Sequence, residues 1–292
     1  MTDPAGSDGG QAPDVRLVLP GRPQYVAVVR QALSAVARTV RIDDRLLADV
    51  KIAVSEACNN VVLHAYGGAE GPLEVYVCPD GTELSVVVRD VGGGMQPRAP
   101  QGDEALQGDE ALQGVGLSLI QALTESAIVQ GGAQEGTEVR MTFRSEVELD
   151  AGYGPRDDEE GPVQLADDGA VSVSAQPQLI GPVLSAVLSM IAANEGFTVE
   201  RLLDVQLVAD AIAAHAPAVL PSANVCVTIA PSRGDLGLCI GPLAPGGAEG
   251  LVTASAVAGM DPILSRLARD VSTRAANEDG GELLLLRLTE PA

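Results

Sequence analysis

Basic residues are scarce in this chain: 18 Lys and Arg stand against 40 Asp and Glu, a formal net charge of −22 at pH 7. With no basic patch in view, that balance excludes nucleic-acid binding, because phosphates would be repelled. A partner with a basic surface fits it better. Long apolar runs are missing too. None reaches the roughly 18 to 20 residues of a membrane span, and no signal peptide opens the chain, so a cytoplasmic protein away from the membrane is expected. Cysteine is limited to positions 58, 78, 226 and 239. These lie within helix or strand patterns without C-x-x-C spacing, so buried free thiols are expected rather than a disulfide or a zinc site. The pattern G-x-x-x-x-G-K-[ST] is absent and no strand leads into G-x-G-x-x-G, which removes the P-loop and dinucleotide-binding readings.

What is present suffices for packed cores. An apolar content of 46% over 292 residues argues against a disordered chain and leaves room for two ordinary domains. Residues 1–12 are small, polar and Gly-rich and read as a loose, disordered terminus. Residues 146–169 form an acidic, Gly/Pro-containing linker around Arg156-Asp-Asp-Glu-Glu-Gly161. The same plan stands on each side of it. Val15-Arg-Leu-Val-Leu then Pro23-Gln24 precedes one long apolar helix, and Val171-Ser-Val-Ser then Pro177-Gln178 precedes another. Arg45-Leu-Leu leads a helix ending at His64-Ala65, and Arg201-Leu-Leu leads one ending at His215-Ala216. A hairpin around Pro79 is matched by one around Pro231, the helix from Gly116 to Thr124 by Asp261 to Arg269, and the strand Thr137 to Phe143 by Glu282 to Leu288.

Three short clusters in the first half carry the chemistry. In Leu46 to Tyr66, the residues Leu46, Val50, Ala53, Ala57 and Val61 recur at helical spacing. Glu56, Asn60 and His64 then stack along one stripe beside the apolar one, turning a carboxylate, an amide and an imidazole toward one cleft. The second cluster is Asp90-x-Gly92-x-Gly94. It follows the alternating runs Leu73 to Cys78 and Glu83 to Arg89, so Asp90 ends a strand and the glycines let backbone approach a flat ligand. In the third, Gly114-Val-Gly116 opens a helix whose free N–H groups suit phosphate. Taken singly, each is weak: a solvated face, a plain loop and a common GxG.

Their order and spacing, with Gly136-Thr137 before a final strand, resemble the GHKL (Bergerat-fold) ATP-binding domain shared by DNA gyrase, the Hsp-type chaperone, histidine kinases and MutL. Within that group the segment Ser55-Glu-Ala-Cys-Asn-Asn-Val-Val-Leu-His-Ala-Tyr66 is most similar to the bacterial anti-sigma-factor serine/threonine kinases. The resemblance covers about residues 13–145. It implies that Asn60 ligates Mg²⁺ bridging the phosphates of ATP and that Glu56 is the catalytic base. It further implies that Asp90 accepts a hydrogen bond from the adenine amino group, with Gly92 and Gly94 giving the base room. Gly114 and Gly116 would be lid glycines around phosphate, and Thr137 a hydroxyl that helps bind adenine. His64 matches a recurrent position without a derivable role. Two departures stand out. Leu112-Gln113 replaces a basic residue found in many relatives, and Gln101-Gly-Asp-Glu-Ala-Leu repeats at Gln107, lengthening the expected lid with four carboxylates.

The second half, residues 170–290, keeps the hydrophobic pattern without the chemistry. Asp210 and Ala214 stand near the places of Glu56 and Asn60, with the register open by one residue. The hairpin alignment puts Pro242, Ala244 and Gly246 where Asp90, Gly92 and Gly94 should fall, and proline offers neither carboxylate nor N–H. The expectation is an α+β two-layer fold (a mixed, mainly antiparallel sheet with helices on one face) present twice in tandem, the second copy degenerate. The leading functional expectation is ATP–Mg²⁺-dependent phosphorylation of a serine or threonine of an anti-anti-sigma (STAS-type) protein, with capture of a sigma factor. A catalytically silent, nucleotide-sensing module that sequesters a partner is the alternative. A histidine kinase fits poorly, since only His64 and His215 exist and neither lies on a hairpin ahead of the nucleotide domain. The two halves are also expected to pair within the chain as a pseudo-dimer.

Overall fold

The structure, a computed structural model, describes residues 14–93, 109–132, 136–149, 169–220, 224–257, 259–276 and 281–290, with backbone alone over 109–115. The expected loose terminus, most of the acidic linker, the Gln101 repeat apart from its last residues and Gly94 lie outside them. The first half runs β1 (Val15–Pro20), α1 (Pro23–Val40), α2 (Asp44–Asn60), a π-helix (Val61–Ala65), β2 (Pro72–Asp80), β3 (Glu83–Asp90), α3 (Asp109–Leu123), β4 (Ser126–Gly132) and β5 (Gly136–Arg144). The second runs β6 (Val171–Ala175), α4 (Pro177–Asn194), α5 (Val199–His215), a 3₁₀ turn (Ala216–Ala218), β7 (Val225–Ser232), β8 (Asp235–Leu243), α6 (Gly247–Ala254), α7 (Ile263–Leu267), β9 (Asp270–Ala275) and β10 (Glu282–Thr289).

Local chemistry sets the helix starts in the same way twice. Pro23 and Pro177 open α1 and α4, where a missing N–H costs nothing. Asp43 caps α2 by accepting the Arg45 and Leu46 N–H groups at 2.9 Å, and Thr198 accepts from Arg201 at the start of α5. Arg41 ends α1 in the left-handed region with φ 64°. In the first hairpin Asp80 pairs with Glu83, so β2 runs on through Pro79 and only Gly81-Thr82 turn the chain. The positive φ of Gly81, 56°, is what such a two-residue turn requires.

The strands form one sheet in the order β4-β5-β3-β2-β1-β6-β7-β8-β10-β9. Every pairing among the described residues is antiparallel, in keeping with the mainly antiparallel sheet expected, and the parallel pairs that would make it mixed are not seen among them. Reading outward from the centre, each half places its strands in the same succession. The two expected sheets therefore merge side by side: β1 and β6, each an edge strand of its own half, satisfy each other's N–H and C=O groups, with Leu17 opposite Val173. Above this seam α1 packs on α4, and at its end Gln176 of one half donates to the buried carboxylate of Asp14 of the other. One hydrophobic core runs across both halves, from Val75 and Val86 to Val227 and Leu238.

Helix α4 corrects the expectation about apolar runs. At 18 residues with mean hydropathy 1.3 it is long and apolar enough to cross a membrane by length and composition. Its stripe Leu179, Ile180, Val183, Leu184, Val187, Leu188 and Ile191 is buried in the core, as in a central helix of a globular protein.

Candidate functional site

Helix α2 carries its apolar stripe, Val50, Ala53, Val54 and Ala57, into the core. Glu56 and Asn60 lie beside that stripe and are half-buried. Helix α3 packs across α2, and Gly116 faces both groups. A Cβ built on Gly116 would lie 3.4 Å from the Glu56 Oε2 and 3.8 Å from the Asn60 Oδ1. The missing side chain thus leaves a methyl-sized space bounded by a carboxylate and an amide. The expected helix start is displaced, however. Helix α3 begins at Asp109, so Gly114 and Gly116 lie within it rather than at its first turn. Interior N–H groups of a helix are donated to the carbonyl four residues back, and helix-end N–H groups are therefore not what these glycines present in this conformation. Glu110, Ala111 and Leu112 are good helix formers that extend the helix backward.

Asn60 is the last α-helical residue. Beyond it the helix widens into the π-helix, an irregularity that periodicity did not foretell. His64 sits in this widened turn and is exposed, out of line with half-buried Glu56 and Asn60.

Asp90 ends β3 as expected and is only 2% exposed. Its Oδ1 accepts the Gly92 N–H at 2.8 Å, while Oδ2 has no hydrogen-bond partner among the described residues. Thr137 pairs directly with Asp90 across the ladder and is 7% exposed. Gly136 precedes it at φ 76°, where a Cβ would overlap the Asp90 carbonyl, so glycine alone lets β5 start this close. Gly92 lies flat on the Ala65 carbonyl, again without room for a Cβ. The structure therefore gathers Glu56, Asn60 and Gly116 at one end, and Asp90, Gly92 and Thr137 at the other, with the π-helix between them. Gly94 lies outside the described residues.

Two residues escaped the sequence reading. Tyr66 donates from its hydroxyl to the Pro72 carbonyl at 2.5 Å and accepts the Val91 N–H at 3.2 Å. Its phenol is pushed up to about 12, chiefly by burial, with the Val91 hydrogen bond opposing and the charges of Asp90 and Glu74 adding to it. Ala65 contributes only a carbonyl, which accepts the Gly93 N–H at 2.9 Å. Tyr66 was visible as the end of the Ser55 segment. A backbone carbonyl leaves no trace in a sequence.

The burial pattern of α5 bears on the open register. Val50, Ala53, Val54 and Ala57 of α2 superpose by burial on Val205, Val208, Ala209 and Ile212 of α5. On that match alone, Glu56 and Asn60 would correspond to Ala211 and His215, one residue on from Asp210 and Ala214. At the strand ends, β8 brings Pro242 and β10 brings Glu282 to the places of Asp90 and Thr137. Glu282 turns its carboxylate onto the start of α6, accepting the Gly246 N–H at 3.0 Å and the Ala248 N–H at 3.1 Å. These two hydrogen bonds hold its pKa below the usual carboxylate value. Asp210 instead borders a cleft of about 560 Å³ between α1, α4 and α5, with Arg38, Ser189, Met190 and Gln206. None of the expected site residues lines it.

With this geometry in hand, the similarities fall into place. A profile of the histidine kinase-like ATPase domain matches residues 19–143, ending within β5. The serine-protein kinase RsbW of Bacillus pumilus is 35% identical over 137 residues, covering 44% of this chain and 83% of that protein. The same-named protein of Bacillus subtilis is 31% identical over 140 residues with the same coverage. That of Listeria innocua is 32% identical over 137 residues, covering 44% of this chain and 85% of that protein. Among solved structures, a blue-light activated histidine kinase of Erythrobacter litoralis overlaps 41% of each chain at 21% identity and a TM-score of 0.31.

Proposed function

The chain belongs to the family of RsbW serine-protein kinases, built on the histidine kinase-like ATPase domain, and from that premise we propose that its first half binds ATP with Mg²⁺ and phosphorylates a serine or threonine of an anti-anti-sigma (STAS-type) protein. The observation that carries this reading is the space at Gly116 between Glu56 and Asn60, with buried Asp90 at the far side of the π-helix. Triphosphate and base need those two ends.

Asp90 supplies the adenine end. A buried carboxylate with Oδ1 already engaged turns an acceptor to the adenine amino group, and guanine, which carries a carbonyl there, meets acceptor against acceptor. Gly92 and Gly136 keep the surface flat, and the Thr137 hydroxyl lies beside it. Gly94, by the same resemblance, gives the base room. At the other end, Asn60 offers the hard oxygen donor that suits Mg²⁺, and no group of three or more His, Cys, Asp or Glu residues forms a metal cage among the described residues. That fits an ion held by one or two protein oxygens and the substrate's phosphates. The ion would neutralise charge on the phosphates during transfer. Glu56 acts as the base. It accepts the proton of the incoming hydroxyl as that oxygen bonds to the γ-phosphorus, and the bond to the bridging oxygen breaks, leaving ADP. Gly114 and Gly116 let α3 approach the phosphates closely.

The second half, from about residue 170 to 290, we read as a degenerate copy beyond an acidic linker at 146–169. Three replacements support this: Ala211 for the base, Pro242 for the adenine carboxylate, and Glu282 as an internal anion on α6. Its role is to pair with the first half through β1 and β6, as an intramolecular pseudo-dimer in the cytoplasm. The same first half, alone or with this copy, captures a sigma factor, and the net charge of −22 favours a basic docking surface on that partner. Incubating the full chain with labelled ATP, Mg²⁺ and a candidate anti-anti-sigma protein tests the reading. Label on a serine or threonine, lost with Glu56→Ala, is the expected result. ATP binding that depends on Asp90 but yields no label would instead leave a silent, nucleotide-sensing sequestering module.

A further inference from the structure

Two independent ties meet on the turn that follows Asp90. The first is the Tyr66 hydroxyl, which joins the Pro72 carbonyl at the start of β2 to the Val91 N–H just past the end of β3. The last ladder pair of these strands is Leu73 with Asp90, so the phenol takes the place of the next rung. Its ring is held in turn. A Cβ on Gly71 would overlap it, and Gly71 is fixed through its carbonyl by the Gly21 N–H at 2.7 Å. The second tie is the Ala65 carbonyl. The last carbonyls of a helix lack partners within it, and this one, at the end of the π-helix, is satisfied by the Gly93 N–H at 2.9 Å.

Both anchors belong to the segment that directly continues Asn60. The π-helix and Tyr66 therefore act as a spacer: one end carries the Asn60 amide, the other grips the Asp90–Gly93 turn from two sides. We infer that Tyr66 is a positioning residue that fixes the Asp90 carboxylate for adenine and sets the preference for adenine over guanine nucleotides. The inference rests on the ATP reading above. Tyr66 does not touch the nucleotide; it acts through Val91 and the turn. With its pKa at about 12, the phenol keeps its proton, and hence both hydrogen bonds, throughout the range in which nucleotides are assayed.

Calorimetric titration of the full chain with ATP and with GTP, both with Mg²⁺, tests it in the wild type, Tyr66→Phe and Gly71→Ala. Phe keeps the ring and its packing while removing both hydrogen bonds. Ala at 71 displaces the ring and leaves the hydroxyl chemistry intact. Expected are a clear wild-type preference for ATP, an ATP affinity about tenfold weaker in both variants, and an ATP-to-GTP ratio narrowed by a similar factor. In kinase assays KM for ATP should rise while kcat stays within about twofold, since Glu56 and Asn60 are untouched. A merely structural tyrosine would lower the melting temperature and leave the nucleotide ratio alone, and that outcome in folded Tyr66→Phe overturns the inference by itself. A wild-type chain that binds no ATP overturns the underlying reading as well, so the two failures are told apart by the first titration.

Discussion

Replacing Gly116 with alanine should make the protein more stable and less active at once. Gly116 lies within α3, and its φ is not among the positive values, so alanine can adopt the native backbone. In a helix interior alanine is favoured over glycine by about 0.8–1.0 kcal/mol. The new methyl would lie 3.4 Å from the Glu56 Oε2 and 3.8 Å from the Asn60 Oδ1. These are ordinary contacts, which leave most of that gain intact and should raise the melting temperature by about 1–1.5 °C. The same methyl fills the space that the account assigns to the phosphates. Displacing a reacting group by an ångström costs about 10²-fold in rate, so phosphoryl transfer should fall by about that factor, with weaker ATP binding. Thermal melting and a label-transfer assay on the same preparation suffice. A variant that is stabilised and fully active would refute the placement of the phosphates beside Gly116, and a destabilised one would refute the packing of α3 on α2.

Asp90→Ala removes a charged acceptor for the adenine amino group, an interaction of about 1.5–3 kcal/mol, so ATP affinity measured by calorimetry should drop roughly 10- to 150-fold. Glu282 has a folded pKa depressed by the Gly246 and Ala248 N–H groups, so its contribution to stability is present above its unfolded value and is lost as pH falls through the lower folded value. Glu282→Gln should accordingly lower the melting temperature at pH 7, with the difference from wild type closing below pH about 4, the unfolded carboxylate range; an effect that grows on acidification would contradict the capping role. The Cys58 thiol is fully buried and pushed up to about 12, so in native protein it should resist iodoacetamide at neutral pH and become labelled only on unfolding, as peptide mapping would show.

Much of the fold could be read in advance because its central elements carry a periodic apolar face. The helix from Leu46 and the hairpin strands Leu73 to Cys78 and Glu83 to Arg89 alternate at the spacings their burial later shows. Edge strands β4 and β9 were not foreseen: almost every residue in them is exposed, so no alternation is imposed. The helix expected at Asp261 to Arg269 is shorter, Ile263–Leu267, because Asp261-Pro262 precede it and Arg269 already pairs with Arg287 beside β9. Of the candidate site, Glu56, Asn60, Asp90 and Thr137 were legible as candidates from residue type and order. The π-helix, the Ala65 carbonyl and the close approach of Gly136 to Asp90 were not, since each depends on where backbone meets backbone. The register of the second half stayed open in the sequence because an apolar pattern at helical spacing tolerates a shift of one, and burial is what favours one of the two.

The proposed function requires one working nucleotide site, in the first half of the chain. Calorimetric titration of the full chain with ATP and Mg²⁺, read as stoichiometry, bears on it most directly. One nucleotide per chain, weakened roughly 10- to 150-fold by Asp90→Ala and unaffected by Glu282→Gln, is the predicted result; two per chain, or one whose affinity Asp90→Ala leaves unchanged, would contradict it.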